Sequence, residues 1–309
     1  MDDAIGTLAS DQKRWSVTAS QLKKSISRSR LSIIGLAIAG AVLETLAAQV
    51  HQSVPDLAVW VGYAGAAALA VIAVVRQWKL GRERVQAWIL ARAASESFKR
   101  ELYLYRTSAG AYAASSNPAA TLFDRREEIL GKVRSVQKYA AEPEKSTLNV
   151  PGPLDAEGYI KERVEGQIDW FRRRAAQNAK LQGLFGGAEF LLAIAGALLG
   201  AALTMTNKQV YGAWVAVITT VTGALGAHAL AQRYEQLAVS YRATADRLAS
   251  VVGRWRAVKG SLSQLVEQCE VALLEENQGW IAGADETMKE NNGPPPAPGG
   301  TAGGQKTTS

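Results

Sequence analysis

Residues that carry chemistry are scarce in this chain. Its 309 residues include one cysteine, Cys269, and two histidines, His51 and His228. A single cysteine excludes an intrachain disulfide and a cysteine zinc cluster, and two histidines argue against a histidine metal site. The sequence also lacks GxSxG, HExxH, a Walker loop, CxxC and paired catalytic carboxylates. We therefore expect no catalytic residues, no metal and no cofactor, and we predict that the protein is not an enzyme.

Four stretches of the chain are nearly free of charge. They lie at about residues 31–50, 57–75, 184–204 and 211–231, and short polar connectors separate the first from the second and the third from the fourth. A helix needs roughly 20 apolar residues to cross a hydrocarbon core of about 30 Å, and only a helix satisfies its own backbone there as a single segment. The sequence predicts an all-α membrane protein. It has two tandem transmembrane helical hairpins (four spans) with long cytosolic amphipathic helices.

The basic residues gather beside these spans. The chain carries 35 Lys and Arg against 28 Asp and Glu, a net charge of +7. The first connector has no Lys or Arg and the second has only Lys208, so the positive-inside rule places both termini in the cytoplasm. The placement favours the lipid bilayer as a partner, and without a base-reading module we expect no nucleic acid. The flanking cations are Lys23, Lys24, Arg28, Arg30, Arg76, Lys79, Arg82, Arg84, Arg172, Arg173, Arg174, Lys180 and Arg233.

Proline and glycine mark the domain boundaries. The segment AEPEKSTLNVPGPLDAEG contains three prolines and two glycines and shows no periodicity. We place a first two-span module at 1–147, a linker at 148–158 and a second two-span module at 159–280. Residues 281–309 form a predicted disordered tail, which is Pro- and Gly-rich from Gly293 on. The first thirty residues have no short apolar region with a cleavage site, so we expect no removable signal peptide.

The two halves repeat one pattern. Trp15 precedes an Ile-Ala-Gly string by 23 positions, and Trp170 precedes the same string by 24. A Tyr-Arg pair follows each hairpin, beginning at Tyr105 and at Tyr241. Each half is predicted to be helix, two spans, helix, and both halves have the same orientation, so the repeats are parallel. Such repeats fit a central pathway lined by equivalent helices, and they fit a structural bundle equally well.

This order of elements resembles the SLATT family (SMODS and SLOG-associating two-transmembrane effectors), here in tandem. The second half carries the similarity through YIKERVEGQIDWFRRRAAQNAK and YEQLAVSYRATADRL. The first half, with ARAASESFKRELYLYRTSAGAY, resembles the divergent partner module of such tandems. The resemblance implies a bacterial inner-membrane effector that forms a pore or disrupts the membrane when an antiviral or stress system triggers it. It also implies a soluble sensor or nucleotide-signalling partner as a separate protein, and it carries over no catalytic residue.

Four residues are candidates for an intramembrane polar site. Glu44 and Glu189 are the only acids within the spans, and ionisable groups in lipid mark ion pathways more often than chance allows. Counting from the second connector places His228 at a depth similar to that of Glu189, which predicts a protonation-sensitive gate or, alternatively, a packing role. Counting from the first connector places Tyr63 level with Glu44, where a hydrogen bond would hold two helices together.

Two further groups are candidates for contacts outside the spans. Arg172, Arg173 and Arg174 form a juxtamembrane basic run, suited to lipid headgroups or to an anionic ligand. A near-heptad stripe after the fourth span predicts one long helix that packs on a partner helix, favouring a homo-oligomer. Gly253 and Gly260 could kink or break this helix. The alternatives to a pore are a non-conducting scaffold that recruits a soluble partner through this helix, and a small transporter, which intact apolar runs argue against. The stripe candidates are Leu237, Tyr241, Leu248, Trp255 and Leu262.

Overall fold

Helices make up the regular structure of the described residues. The computed structural model describes residues 2–51, 53–142, 152–206 and 209–292. A π-helical segment, Ile160–Glu165, connects α5 to α6, and 3-10 turns follow α3 and α4. The α-helices in these ranges are α1 (Asp2–Val50), α2 (Pro55–Lys79), α3 (Arg82–Arg106), α4 (Pro118–Val133), α5 (Ala156–Tyr159), α6 (Gly166–Thr206), α7 (Gln209–Gln232), α8 (Tyr234–Val258) and α9 (Leu262–Asn292).

Four helical segments are long and apolar enough to cross a membrane. They contain the apolar parts of α1, α2, α6 and α7, which are the four predicted spans. Their apolar side chains point away from the protein: Trp60, Phe190, Leu191 and Leu198 are each at least 66% exposed. A surface of this kind is suited to lipid rather than to water. The all-α membrane fold is therefore confirmed.

The structure repeats the same order of helices in each half. A long helix that contains a span (α1, α6) is followed by a second span helix of 25 or 24 residues (α2, α7). A helix of 25 residues then returns along the first (α3, α8). The break between span and returning helix lies at Leu80 and Gly81 in the first half and at Arg233, in the left-handed backbone region with φ 52°, in the second.

The two hairpins pack side by side. In the membrane region α1 contacts α2 of its own hairpin and α7 of the other, and α7 contacts α6. The principal packing therefore runs α2, α1, α7, α6, with α2 and α6 at the outside. Small residues permit the close approach: a Cβ at Gly40 would lie 2.7 Å from Cδ2 of Leu69.

Outside the membrane region the two halves share one apolar core. Trp15, Phe98, Tyr159 and Leu248 come from four helices of both halves, and each is at most 1% exposed. Fully burying one such side chain contributes about 2–3 kcal/mol. The helical extensions therefore pack together, as the sequence predicted, and they form one helical body rather than two separate ones.

The long helix predicted after the fourth span is wrong. The chain turns at Lys259, which adopts the left-handed region with φ 47°, and at Gly260, so α8 and α9 form an antiparallel pair. Trp255 Nε1 donates a hydrogen bond to the Gly260 carbonyl oxygen at 2.9 Å and closes the turn. The stripe stays continuous across the turn because both helices direct it into the same core.

The predicted linker and tail are described only in part. The domain boundary near Leu148 lies outside the described residues. Beyond it, the Leu154 N–H donates to the Arg106 carbonyl oxygen at 2.9 Å, which fixes the end of the linker against α3. The tail was predicted to begin at residue 281, but α9 continues to Asn292, so residues 281–292 are helical. The part of the tail from Gly293 on lies outside the described residues.

Candidate functional site: a basic cavity between the two halves

A cavity of about 910 Å³ lies between the two halves, where the spans meet the helical extensions. Seven helices of both halves contribute to its wall: α1, α2, α3, α6, α7, α8 and α9. On α6 the wall runs from Gln167 to Leu181, a length of about 21 Å at 1.5 Å per residue. The volume is in the range of small-molecule and cofactor sites, roughly 300–1,000 Å³.

The wall of the cavity is strongly basic. It contains eight Lys and Arg side chains and two Glu, Glu96 and Glu276, an excess of six positive charges. The net charge of the whole chain is +7. Most of the imbalance is therefore concentrated on this one wall. The cations are Lys23, Arg30, Arg76, Arg82, Arg92, Lys99, Arg174 and Arg233.

Five of these cations have no counter-charge in contact. Within the described parts of the chain, they form neither an ion pair nor a side-chain hydrogen bond. The nearby charges of Arg92 and Arg174 repel one of them, Lys23. Like charges at close range disfavour the folded arrangement unless an anion offsets them. The five are Lys23, Arg30, Arg76, Arg82 and Lys99.

The remaining cations are held in place by neighbouring side chains. Arg92 lies 3.8 Å from Glu276, and Arg233 donates a hydrogen bond to Gln236. The guanidinium of Arg174 lies over the ring of Trp170, 5.5 Å from its centroid, in cation–π geometry. These groups are oriented before any ligand arrives.

Burial shifts the ionisation of two groups in the wall. It lowers the pKa of Lys99, and the positive charge of Arg163 lowers it further, while Glu96 and Glu270 oppose the shift. Burial also raises the pKa of Glu276 above its ordinary value, which Arg92 partly offsets. Both shifts follow from desolvation, which penalises the charged form of either group.

Aromatic and apolar side chains complete the wall. Trp88 and Trp170 are half-buried, and Tyr234 and Tyr241 come from the start of α8. At the membrane end, Ile33, Ile34 and Ala37 of α1 extend the wall along the first span. The cavity therefore joins a basic, aromatic region to an apolar region level with the membrane.

The predicted intramembrane pairs do not form. Glu189 Oε1 lies against Gly226, where a Cβ would be 3.1 Å away, instead of against His228. His228 is buried and lies 3.4 Å from the Tyr234 hydroxyl, with the Phe185 ring at 5.3 Å. The predicted Glu189–His228 pair is wrong because residues 226 and 228 differ by about 200° around the helix.

In the first hairpin, Glu44 Oε1 likewise lies against a glycine, Gly65, where a Cβ would be 2.9 Å away. Tyr63, its predicted partner, is 66% exposed and packs edge-on against Trp60. The predicted Glu44–Tyr63 bond is therefore absent from the described structure. In both hairpins, an acid of the first helix lies against a glycine of the second.

The structure places the other two candidate groups, the juxtamembrane arginines and the stripe residues, in surroundings that differ in part from the prediction. Arg174 lines the cavity, whereas Arg172 and Arg173 are exposed outside its wall. Tyr241 and Leu248 are buried in the shared core, and Leu237, Trp255 and Leu262 pack against it. The stripe is thus used within the chain and is not an exposed oligomer face. The scaffold alternative loses the surface on which it was based.

The sequence indicated most of these cations but not the cavity. Lys23, Arg30, Arg76 and Arg82 were interpreted as positive-inside flanks, and Lys99 was not singled out. Their common signal is a basic flank at the same end of each span. The prediction that no metal binds remains untested, although no group of three or more His, Cys, Asp or Glu within the described ranges could hold a metal ion.

Comparisons with known families agree with this architecture. Residues 159–280 match the family model "SMODS and SLOG-associating 2TM effector domain 1" (SLATT_1). Residues 13–120 match "Protein of unknown function (DUF4231)". Each match contains one hairpin and the helix that follows it. No curated protein and no solved structure matches the chain.

Proposed function

We propose that several copies of this chain, whose residues 159–280 match the SLATT two-transmembrane effector domain, assemble in a bacterial inner membrane and open a pore or breach it. The coarser function, a membrane effector associated with defence systems, follows from the matched domain. The trigger is then an antiviral or stress signal delivered by a soluble, nucleotide-linked partner. The role is one of assembly and permeability and is not enzymatic.

The observation that carries this proposal is the pair of intramembrane carboxylates. Glu44 is exposed on α1 and Glu189 is half-exposed on α6, and neither has a hydrogen-bond partner among the described residues. Glu44 lies six residues before the end of α1, about 9 Å inside the span. A charged side chain within a lipid-facing span costs about 3 kcal/mol on insertion scales. Contact with a second copy, or with water in a pore, removes that cost.

The arrangement of spans also favours an assembly. The four spans pack mainly in a row, so one copy encloses little space at membrane depth. The hydroxyls of Thr219, Thr220 and Thr222 donate to the carbonyl four residues earlier, which leaves few polar groups to line a channel. Several copies, each contributing its carboxylates, would supply the missing polar surface.

The orientation follows from charge. The cations gather at the end of the spans that carries the helical extensions, and the connectors are almost free of them. By the positive-inside rule, this distribution supports a cytoplasmic location for the extensions, the cavity and both termini. A cytoplasmic partner would meet the cavity and the shared core from that side.

The test is membrane depolarisation in bacteria that express the chain, alone and with its triggered partner system. We compare the wild type with Glu44→Gln and Glu189→Gln, and use Glu275→Gln, an exposed acid of α9, as the matched control. Depolarisation by the wild type and the control, reduced at least fivefold by either span variant at equal membrane levels, supports the proposal. It is overturned if the triggered wild type leaves the potential unchanged, or if all variants act alike.

A further inference from the structure

The cavity between the two halves carries more positive than negative charge in its wall. Six excess charges line a wall of about 910 Å³, and five cations there lack a partner within the described ranges. An anion in this space would offset the mutual repulsion of the cations. Lys and Arg side chains from separate elements, converging on one space, are the usual means of holding phosphate.

We propose that this cavity binds a phosphate-bearing anion with an attached apolar or aromatic group. The cations would hold the phosphate, while Trp88, Trp170 and the α1 residues Ile33 and Ile34 would contact the remainder of the ligand. A planar ring can stack on Trp170 beside the Arg174 guanidinium, and an acyl chain can follow α1 toward the membrane. Two sources have this chemistry: a soluble nucleotide and the headgroup of an anionic lipid.

The ligand would contact the joint between a span and its extension. Arg233 lies in the wall and in the left-handed backbone region, where α7 ends and α8 begins. An exceptional backbone conformation of a non-glycine residue at such a joint costs about 1 kcal/mol or more and marks a place where the chain can change direction. An anion on Arg233 would bias the angle between the fourth span and the extensions. This last step rests on the proposed effector function, whereas binding itself does not.

Adjacent cations provide a matched pair of variants. Lys23 and Arg174 line the cavity, whereas their neighbours Lys24 and Arg173 do not, and all four side chains are exposed enough to be replaced without disturbing the core. The double variants Lys23→Gln/Arg174→Gln and Lys24→Gln/Arg173→Gln lose the same charge from the same two helices. A third variant, Lys23→Arg/Arg174→Lys, keeps the charge of the cavity.

The experiment measures binding to the purified full chain in nanodiscs of phosphatidylcholine. The probes are ATP, inorganic phosphate, and short-chain phosphatidylglycerol with phosphatidylcholine of the same chain length as its control. Binding is followed by tryptophan fluorescence and calorimetry. We expect ATP or phosphatidylglycerol to bind in the micromolar range. The affinity should fall at least tenfold in the cavity variant, and less than twofold in the neighbour variant and in the charge-conserving variant.

Each outcome decides the proposal. Binding of ATP with this pattern identifies a soluble ligand, and binding of phosphatidylglycerol alone identifies a lipid headgroup. Equal losses in the cavity and neighbour variants would mean general surface attraction and would overturn the proposal, as would affinities weaker than about 1 mM for every probe. No conductance is measured, so failure of the pore proposal and failure of this one are distinguishable.

Discussion

The buried ion pair between α9 and the segment that precedes α6 should be a major stability determinant of the extensions. Glu270 accepts hydrogen bonds from Arg163 Nε at 2.9 Å, Arg163 Nη2 at 3.1 Å and the Tyr159 hydroxyl at 3.0 Å. The two charged side chains are 2% and 1% exposed. The pair joins the start of the second module to the C-terminal helix within the shared core.

The substitution Glu270→Ala leaves Arg163 charged and without its carboxylate. Arg163 Nη1 already lacks a hydrogen-bond partner within the described structure, and Glu96 acts on its charge from nearby without a hydrogen bond to it. Removing one member of a buried pair typically costs 3–5 kcal/mol, because the other charge stays in a region of low dielectric. At 2–4 °C per kcal/mol, the melting temperature should fall by roughly 6–20 °C.

Two variants test whether the uncompensated charge is the cause. Replacing both members, Arg163→Met/Glu270→Leu, should restore most of the loss, since an apolar pair of similar volume avoids the buried charge. The exposed pair of Arg247 and Glu275, 51% and 52% exposed, joins α8 to α9, so its acid lies on the same helix as Glu270. Glu275→Ala should cost at most about 1 kcal/mol.

The assay is thermal unfolding in detergent micelles, followed by near-ultraviolet circular dichroism. The reasoning is refuted if Glu270→Ala and Glu275→Ala lower the melting temperature equally. It is also refuted if the double variant is less stable than Glu270→Ala, since the pair itself would then contribute more than the unpaired charge costs.

Three further predictions use other features of the structure. Burial raises the pKa of the Cys269 thiol to about 12, and the residue is 0% exposed. A maleimide should therefore label the native chain at least 100-fold more slowly than the chain unfolded in detergent at pH 8. Equal labelling rates would place Cys269 at the surface. Lys259 has φ 47°, so Lys259→Gly should raise the melting temperature by about 2–4 °C, and Lys259→Ala, which keeps the Cβ, should not. Burial raises the pKa of Glu276 and lowers the pKa of Lys99. A bound anion favours the protonated form of both side chains, so the affinity of the cavity for the anion should increase as the pH falls from 8 to 6. The groups that face these two are Arg92, Glu96, Arg163, Tyr241 and Glu270; Glu276→Gln should weaken the pH dependence, and an unchanged or reversed one would contradict the assignment.

The sequence predicted those parts of the fold that depend only on which segments of a single helix prefer lipid and which prefer water. Uninterrupted apolar runs gave the four spans, because no other structure places so many apolar residues outside water. Counting residues from a connector gave the correct depth for Glu189 within about one turn. It did not give rotation about the helix axis, which decided that Gly226 and not His228 faces the carboxylate.

The stripe between Leu237 and Leu273 shows a second limit. A periodic apolar pattern indicates that one face of a helix is buried, but it does not identify the element that covers that face. A helix on a second copy and a returning helix of the same chain produce the same pattern. Only the turn at Lys259 and Gly260 distinguishes them, and a single glycine in a helical pattern is a weak signal.

The cavity results from two features together, the basic flanks of the spans and the side-by-side packing of two hairpins. Neither feature alone predicts it. Cations flank the same end of each hairpin, where lipid headgroups and water ordinarily surround such residues. The two hairpins lie side by side, with α1 against α7, so that Lys23, Arg30 and Arg76 of the first hairpin line the same cavity as Arg174 and Arg233 of the second. Basic flanks of both modules thereby line one cavity, which is where we propose that an anion binds. The property belongs to the tandem, since either hairpin alone would leave its cations facing lipid and water.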